Sequence, residues 1–162
     1  MPSSMPSEIV VAGAAEGRVF SAVGDVYRLL AGGEQTGGAY ALFEARVGPG
    51  GGPPPHLHTR EEESFFILAG SVTVWVADRK VDAGVGAFVQ IPRGTVHAFK
   101  NETLMEARML ILTSPSGFDR FMEAFGHPLP SFDSPPLPVT HEDIAKLIEL
   151  APEYGIEIRL PH

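Results

Sequence analysis

Between Pro49 and Gly70 the chain reads PGGGPPPHLHTREEESFFILAG: two histidines one residue apart, three consecutive glutamates, then an apolar run closed by glycine. On a β-strand, side chains at i and i+2 share a face, so His56 and His58 point the same way, separated by about 7 Å of backbone. Two imidazoles in that relation can chelate one ion. Isolated H-x-H pairs also occur on surface loops, so the pair needs company. It comes from GAFVQIPRGTVHAFKN, Gly86 to Asn101, where His97 follows a Pro-Arg-Gly turn and opens a β-patterned stretch from Val96 to Lys100. Three histidines and a carboxylate make a site for one divalent transition metal.

Strand parity leaves the carboxylate open between two residues. If the strand of His56 and His58 simply continued, Glu62 would share their face and Glu63 would not. If a turn intervenes, Glu63 joins the following strand on the face of Phe65 and Ile67, and Glu61 and Glu62 become solvent-facing turn residues.

The chain outside these stretches is punctuated like an all-β domain. Its 18 glycines and 15 prolines fall between short alternating segments at Ala39–Val47, Ser64–Leu68, Val72–Val76, Ala87–Ile91 and Ala107–Leu112. Asp78 to Lys80 reads as a hairpin turn, and Ala31 to Gly38 as a glycine-rich loop. Trp75 alternates away from Val72, Val74 and Val76, which suits a sheet face or an interface. Beyond residue 113 the pattern changes. Phe118, Phe121, Met122 and Phe125 recur at helical spacing ahead of Gly126, a proline-rich surface connection follows, and Thr140 can cap a second amphipathic helix. We therefore divide the chain into an N-terminal segment (1–17), a β-barrel (18–113) and a C-terminal helical extension (114–162) packed on the barrel or on a partner. His127, His141 and His162 fall in this extension as surface histidines.

Composition excludes several classes. The 162 residues contain no cysteine, which rules out disulfides, thiolate ligands and a cysteine nucleophile, so any metal is held by nitrogen and oxygen. A net charge of −8, with 12 scattered basic residues, opposes nucleic-acid binding. The segment MPSSMPSEIVVAGAAEG lacks a basic start followed by an apolar run, and no apolar run of about 18 residues occurs anywhere. The expectation is a soluble, cytoplasmic protein with no membrane or nucleic-acid partner. Sheet edges that need cover predict a homodimer.

The two histidine stretches resemble the paired motifs of the cupin superfamily. The first motif, within 50–70, is met by Gly50, His56, His58, Glu63 and Gly70, and the second, within 86–101, by Gly86, Pro92, Gly94, His97 and Asn101. The resemblance implies an all-β double-stranded β-helix, a jelly-roll barrel, with short C-terminal helices here and one metal inside. It selects Glu63 over Glu62, because the interval to Gly70 then fits. His56, His58, Glu63 and His97 become the implied metal ligands. The ion is one of Fe, Mn, Ni, Co, Cu or Zn, which donor softness does not separate.

From Gly37 through Phe125 the chain is further similar to bacterial single-cupin proteins related to quercetin 2,3-dioxygenase. That similarity implies a small-molecule substrate, flavonol-like or a smaller enolic or aromatic compound, with dioxygen as co-substrate. It gives Glu63 a second role, as the base that takes the substrate's hydroxyl proton. By parity Phe65 and Phe99 share faces with Glu63 and His97, where they either line a substrate pocket or fill the barrel. A metal-dependent isomerase and a non-catalytic small-molecule binder are the alternatives.

Overall fold

The computed structural model describes residues 9–159. Ten strands run in sequence: Val19–Ala22 (β1), Asp25–Ala31 (β2), Ala41–Val47 (β3), His56–His58 (β4), Glu62–Ala69 (β5), Ser71–Val76 (β6), Arg79–Gly84 (β7), Phe88–Ile91 (β8), His97–Lys100 (β9) and Ala107–Ser114 (β10). One helical turn, Gly33–Thr36 (α1), sits inside the expected glycine-rich loop. Helix Phe118–Phe125 (α2), strand His127–Leu129 (β11), helix His141–Leu150 (α3), a 3-10 turn and strand Ile156–Ile158 (β12) follow. The strands form two antiparallel sheets, ordered β11-β1-β2-β3-β10-β5-β8 and β12-β4-β9-β6-β7. This is the expected jelly-roll barrel with short C-terminal helices.

Alternation along β10 shows how the interior is built. Ala107, Met109, Ile111 and Thr113 face inward and stand opposite Val47, Ala45, Phe43 and Ala41 of β3. On its other side β10 aligns Met109, Ile111 and Thr113 with Ile67, Phe65 and Glu63 of β5. Phe43, Phe65, Ile67 and Ile111 are all but fully buried, each contributing about 2 kcal/mol by leaving water. Glu63 ends the same row, and burying a lone carboxylate costs several kcal/mol, more than any one of those neighbours supplies. It therefore needs a positive partner. The small side chains of Ala41 and Thr113 beside it leave room for one.

The turn between β6 and β7 lies one residue earlier than the expected Asp78 to Lys80. Ala77 takes φ 54°, while Arg79 and Lys80 already pair with Val76 and Trp75 in the ladder. Trp75 is half-buried on the outer face, with the Lys80 ammonium 6.0 Å from its ring.

After β10 the chain returns to both sheets. The apolar stripe of α2, with Phe121, Met122 and Phe125 buried, closes one end of the barrel. Next, β11 adds an edge to β1. Thr140 caps α3 reciprocally: its hydroxyl accepts from the Asp143 amide at 3.1 Å, and the Asp143 carboxylate accepts from the Thr140 amide at 2.9 Å. Finally β12 pairs with β4, setting Ile156 against His58 and Ile158 against His56, so the last described strand braces the histidine strand. Among the described residues no helix is long and apolar enough to cross a membrane.

Candidate metal centre

The loop ahead of β4 is drawn tight against β9. Gly52 has φ 134°, and a Cβ there would overlap the carbonyl oxygen of Phe99, so only glycine lets the chain enter β4 this close. Entry at that depth puts His56 directly across from His97 in the ladder. The rings of His56 and His97 are 4.4 Å apart, those of His56 and His58 5.1 Å, and those of His58 and His97 5.6 Å. Glu63 reaches them from the opposite sheet, with Oε2 2.7 Å from His97 Nε2 and 3.1 Å from His58 Nε2. One ligand atom from each of the four residues lies within 4.8 Å of the others, and all four residues are buried.

The donor set fits a divalent ion. His56 Nδ1 donates to the Pro54 carbonyl at 2.8 Å and His97 Nδ1 to the Thr95 carbonyl at 2.9 Å, which leaves Nε2 of each ring as the atom that would ligate an ion. Both ring nitrogens of His58 are buried without an aligned hydrogen bond. The charges ask for a cation as well. Burial pushes the Glu63 carboxyl up, but His58, and then His97, outweigh it and hold Glu63 ionised well below the usual carboxylate range. Burial pulls His58 down, yet Glu63 and Glu61 together raise it to about 10, so without an ion this ring supplies the positive charge. Burial, reinforced by His97, lowers His56 to about 4 and keeps it neutral. A bound ion would replace the His58 proton as partner to Glu63.

Glu61 departs from expectation. Glu62 is exposed as expected and accepts from Gln90 at 3.4 Å. Glu61, by contrast, is only 3% exposed, with Oε2 3.4 Å from His58 Nδ1. The cause is the start of α2. Gly117, at φ 147°, closes over the turn so tightly that a Cβ there would come 2.7 Å from Glu61 Oε1. Glu61 thus stands behind His58 as the carbonyls of Pro54 and Thr95 stand behind the other two rings.

A narrow cavity of about 50 Å³ adjoins the cluster, bordered by His56, Glu63, Phe99 and Tyr27 and roofed by α2. Tyr27 is 4% exposed, and burial, then the carboxylates of Asp25 and Glu63, hold its phenol un-ionised well above the usual range. Phe118 packs edge-on against His58 with ring centres 5.7 Å apart.

Residues 43–113 match the family described as Cupin domain. This segment is a cupin domain. The chain is 24% identical over 103 residues to quercetin 2,3-dioxygenase of Bacillus subtilis (strain 168), an alignment covering 64% of this chain and 30% of that relative. Among solved structures it is similar to an RmlC-like cupin from Shewanella frigidimarina NCIMB 400, at 16% identity and TM-score 0.59 over 70% of this chain and 96% of the other. A sugar phosphate isomerase of the cupin superfamily from Silicibacter pomeroyi DSS-3 superposes at 20% identity and TM-score 0.54, over 64% and 73% of the two chains. At these identities the structural likeness is one of fold.

Within the cupin barrel the four expected ligand residues converge, while the two phenylalanines part company. Phe99 borders the cavity, whereas Phe65 packs edge-on behind it, ring centres 5.3 Å apart, and is not part of that lining. His127 is exposed and pairs with Asp143 at 2.7 Å, His141 is exposed, and His162 lies outside the described residues. Glu61 and Tyr27 were not singled out by sequence reading. Glu61 has one local signal, its position three residues after His58 across a turn, and Tyr27 has none beyond the β-branched Val26 beside it.

Proposed function

We propose that this cupin is a metal-dependent dioxygenase acting on a flavonol-like or small enolic or aromatic substrate. The observation that carries the reading is the opening of Glu63 and His56 into an otherwise apolar cavity. His56, His58, His97 and Glu63 would hold the ion, which when bound supplies Lewis acidity and open positions for a substrate oxygen and dioxygen. Both histidine contacts to Glu63 fall on Oε2, which leaves Oε1 to accept the substrate's hydroxyl proton. Phe99 and the aromatic face of α2 would exclude water from the site, and the phenol of Tyr27, which borders the same cavity, would donate to a second substrate oxygen.

The lining argues against a sugar phosphate as substrate. No lysine or arginine borders the cavity, and a phosphate needs such a partner when taken out of water. A homodimer belongs to the same proposal. Phe66 and Phe88 sit opposite each other on the outer face at the β8 edge, 41% and 63% exposed, and the segment from Val85 to Ile91 carries no charge to protect that edge.

Oxygen-electrode screening of protein loaded with each candidate metal, against flavonols, catechols and small enols, tests the reading. We expect metal-dependent oxygen uptake that is lost in His97→Ala. Tight binding of one of these compounds with no uptake under any metal would replace the enzyme by a small-molecule binder.

A further inference from the structure

We propose that the cavity beside the histidine cluster takes an enolic substrate no larger than a single ring, and that Phe118 and Met122 of α2 set this limit. The inference rests on the dioxygenase reading and narrows its substrate class.

Space is the first argument. The cavity of about 50 Å³ is far smaller than a protein cavity that admits benzene, which measures roughly 150 Å³. A single ring therefore needs local adjustment of about one side chain, and a three-ring flavonol needs several times as much. Local adjustment is available. Met122 borders the cavity on three rotatable bonds, and Phe118 is only half-buried.

Larger adjustment is not available, because the backbone of α2 is pinned along its length. At the N-terminus Asp119 accepts from the Gly33 amide at 2.8 Å and from the Gly117 amide at 2.9 Å. In the middle Glu123 pairs with Arg18 at 2.7 Å, and Phe121 meets the edge of Tyr154 with ring centres 5.7 Å apart. Gly126 ends the helix so close to β1 that a Cβ there would come 3.0 Å from the Phe20 Cβ. Moving the helix away to admit three rings breaks these contacts together, while turning two side chains breaks none of them.

Polarity gives the orientation. Glu63, His56 and Tyr27 carry the polar side-chain groups of the lining, and the rest of it is apolar. A hydroxyl beside a carbonyl, carried on one ring, meets Glu63 with the first oxygen and the Tyr27 hydroxyl with the second.

The test is calorimetric titration of zinc-loaded protein with maltol, a one-ring hydroxypyranone, and with quercetin. Both present the same hydroxy-ketone head, so the difference in affinity reports the size of the body behind it. We expect maltol to bind at least tenfold more tightly than quercetin. Phe118→Ala and Met122→Ala should each shift that ratio toward quercetin by tenfold or more, and Tyr27→Phe should weaken maltol about tenfold without changing zinc content. Quercetin binding the unmodified protein as tightly as maltol, neither compound binding, or an unchanged ratio in whichever alanine variants fold would overturn the proposal. The two readings fail separately. Preferential maltol binding with no oxygen uptake under any metal defeats the dioxygenase and keeps the size limit, whereas uptake with quercetin in the unmodified protein defeats the size limit and keeps the dioxygenase.

Discussion

Glu63 Oε2 lies 2.7 Å from His97 Nε2, although the two residues belong to opposite sheets of the barrel. The contact joins the sheets at a polar point inside an apolar interior, and a carboxylate so placed is stable only with a cation beside it. We expect the purified protein to carry about one divalent transition ion per chain after growth in supplemented medium, measured by elemental analysis. A well-folded chain that stays metal-free under every supplement would sink the cage, and the dioxygenase with it.

The same contact separates two neighbouring acids. Glu63→Gln removes the charge that faces the histidines, whereas Glu62→Gln changes an exposed residue bonded to Gln90. The first should lower metal affinity by at least tenfold and the second by less than twofold, by competition with a chelator. Equal losses would mean that electrostatics of the whole acidic turn, rather than the inward carboxylate, governs the site.

Why the histidines and Glu63 could be placed from sequence, and Glu61 could not, comes down to where their neighbours lie in the chain. His56, His58 and His97 share an inward face through strand parity, a local property. Glu63 has opposite parity to His58 because the chain crosses from one sheet to the other at 59–61, and the interval to Gly70 records that crossing. The burial of Glu61 depends on Gly117, far along the chain, and its spacing three residues after His58 does not announce that cover. The first two strands were hidden for a related reason. Val19–Ala22 is buried at every position, because Ser21 also accepts from the amide of Leu137 in the proline-rich connection, so two covered faces leave no alternation to read.

Glu61 gives a prediction that separates positioning from bulk charge. Its carboxylate orients His58 without meeting the ion, so Glu61→Gln should weaken metal binding about tenfold and leave the fold intact. Glu61→Asp, which keeps the charge but withdraws it from His58, should weaken binding as well. Full affinity in Glu61→Asp with a loss in Glu61→Gln would show that only the negative field matters.

The dimer edge is tested at one residue. Phe88→Lys places a charge on the exposed edge strand, and we expect light scattering to find a dimer before the substitution and a monomer after it, with metal content unchanged. A monomeric unmodified protein, or a dimer that survives the lysine, removes this edge as the interface.

Asp25 predicts how stability follows pH. It is 1% exposed, neither oxygen has an aligned hydrogen-bond partner, and burial, only partly offset by the Gly52 amide, pushes its carboxyl up to about 8. In the unfolded chain the same group ionises near pH 4. Between these values the unfolded state has released a proton that the folded state keeps, so this residue's contribution falls as pH rises from about 4 to about 8 and is fully lost above. Asp25→Asn preserves the shape and removes the titration. Urea denaturation from pH 5 to 8.5 should show the variant gaining on the unmodified protein as pH rises, by an amount on the order of a few kcal/mol at the alkaline end. The difference between the two curves isolates Asp25 from the histidines, which titrate in both proteins. Parallel curves across the range would mean that Asp25 ionises normally in the folded state, with water or a backbone amide meeting its charge inside the barrel.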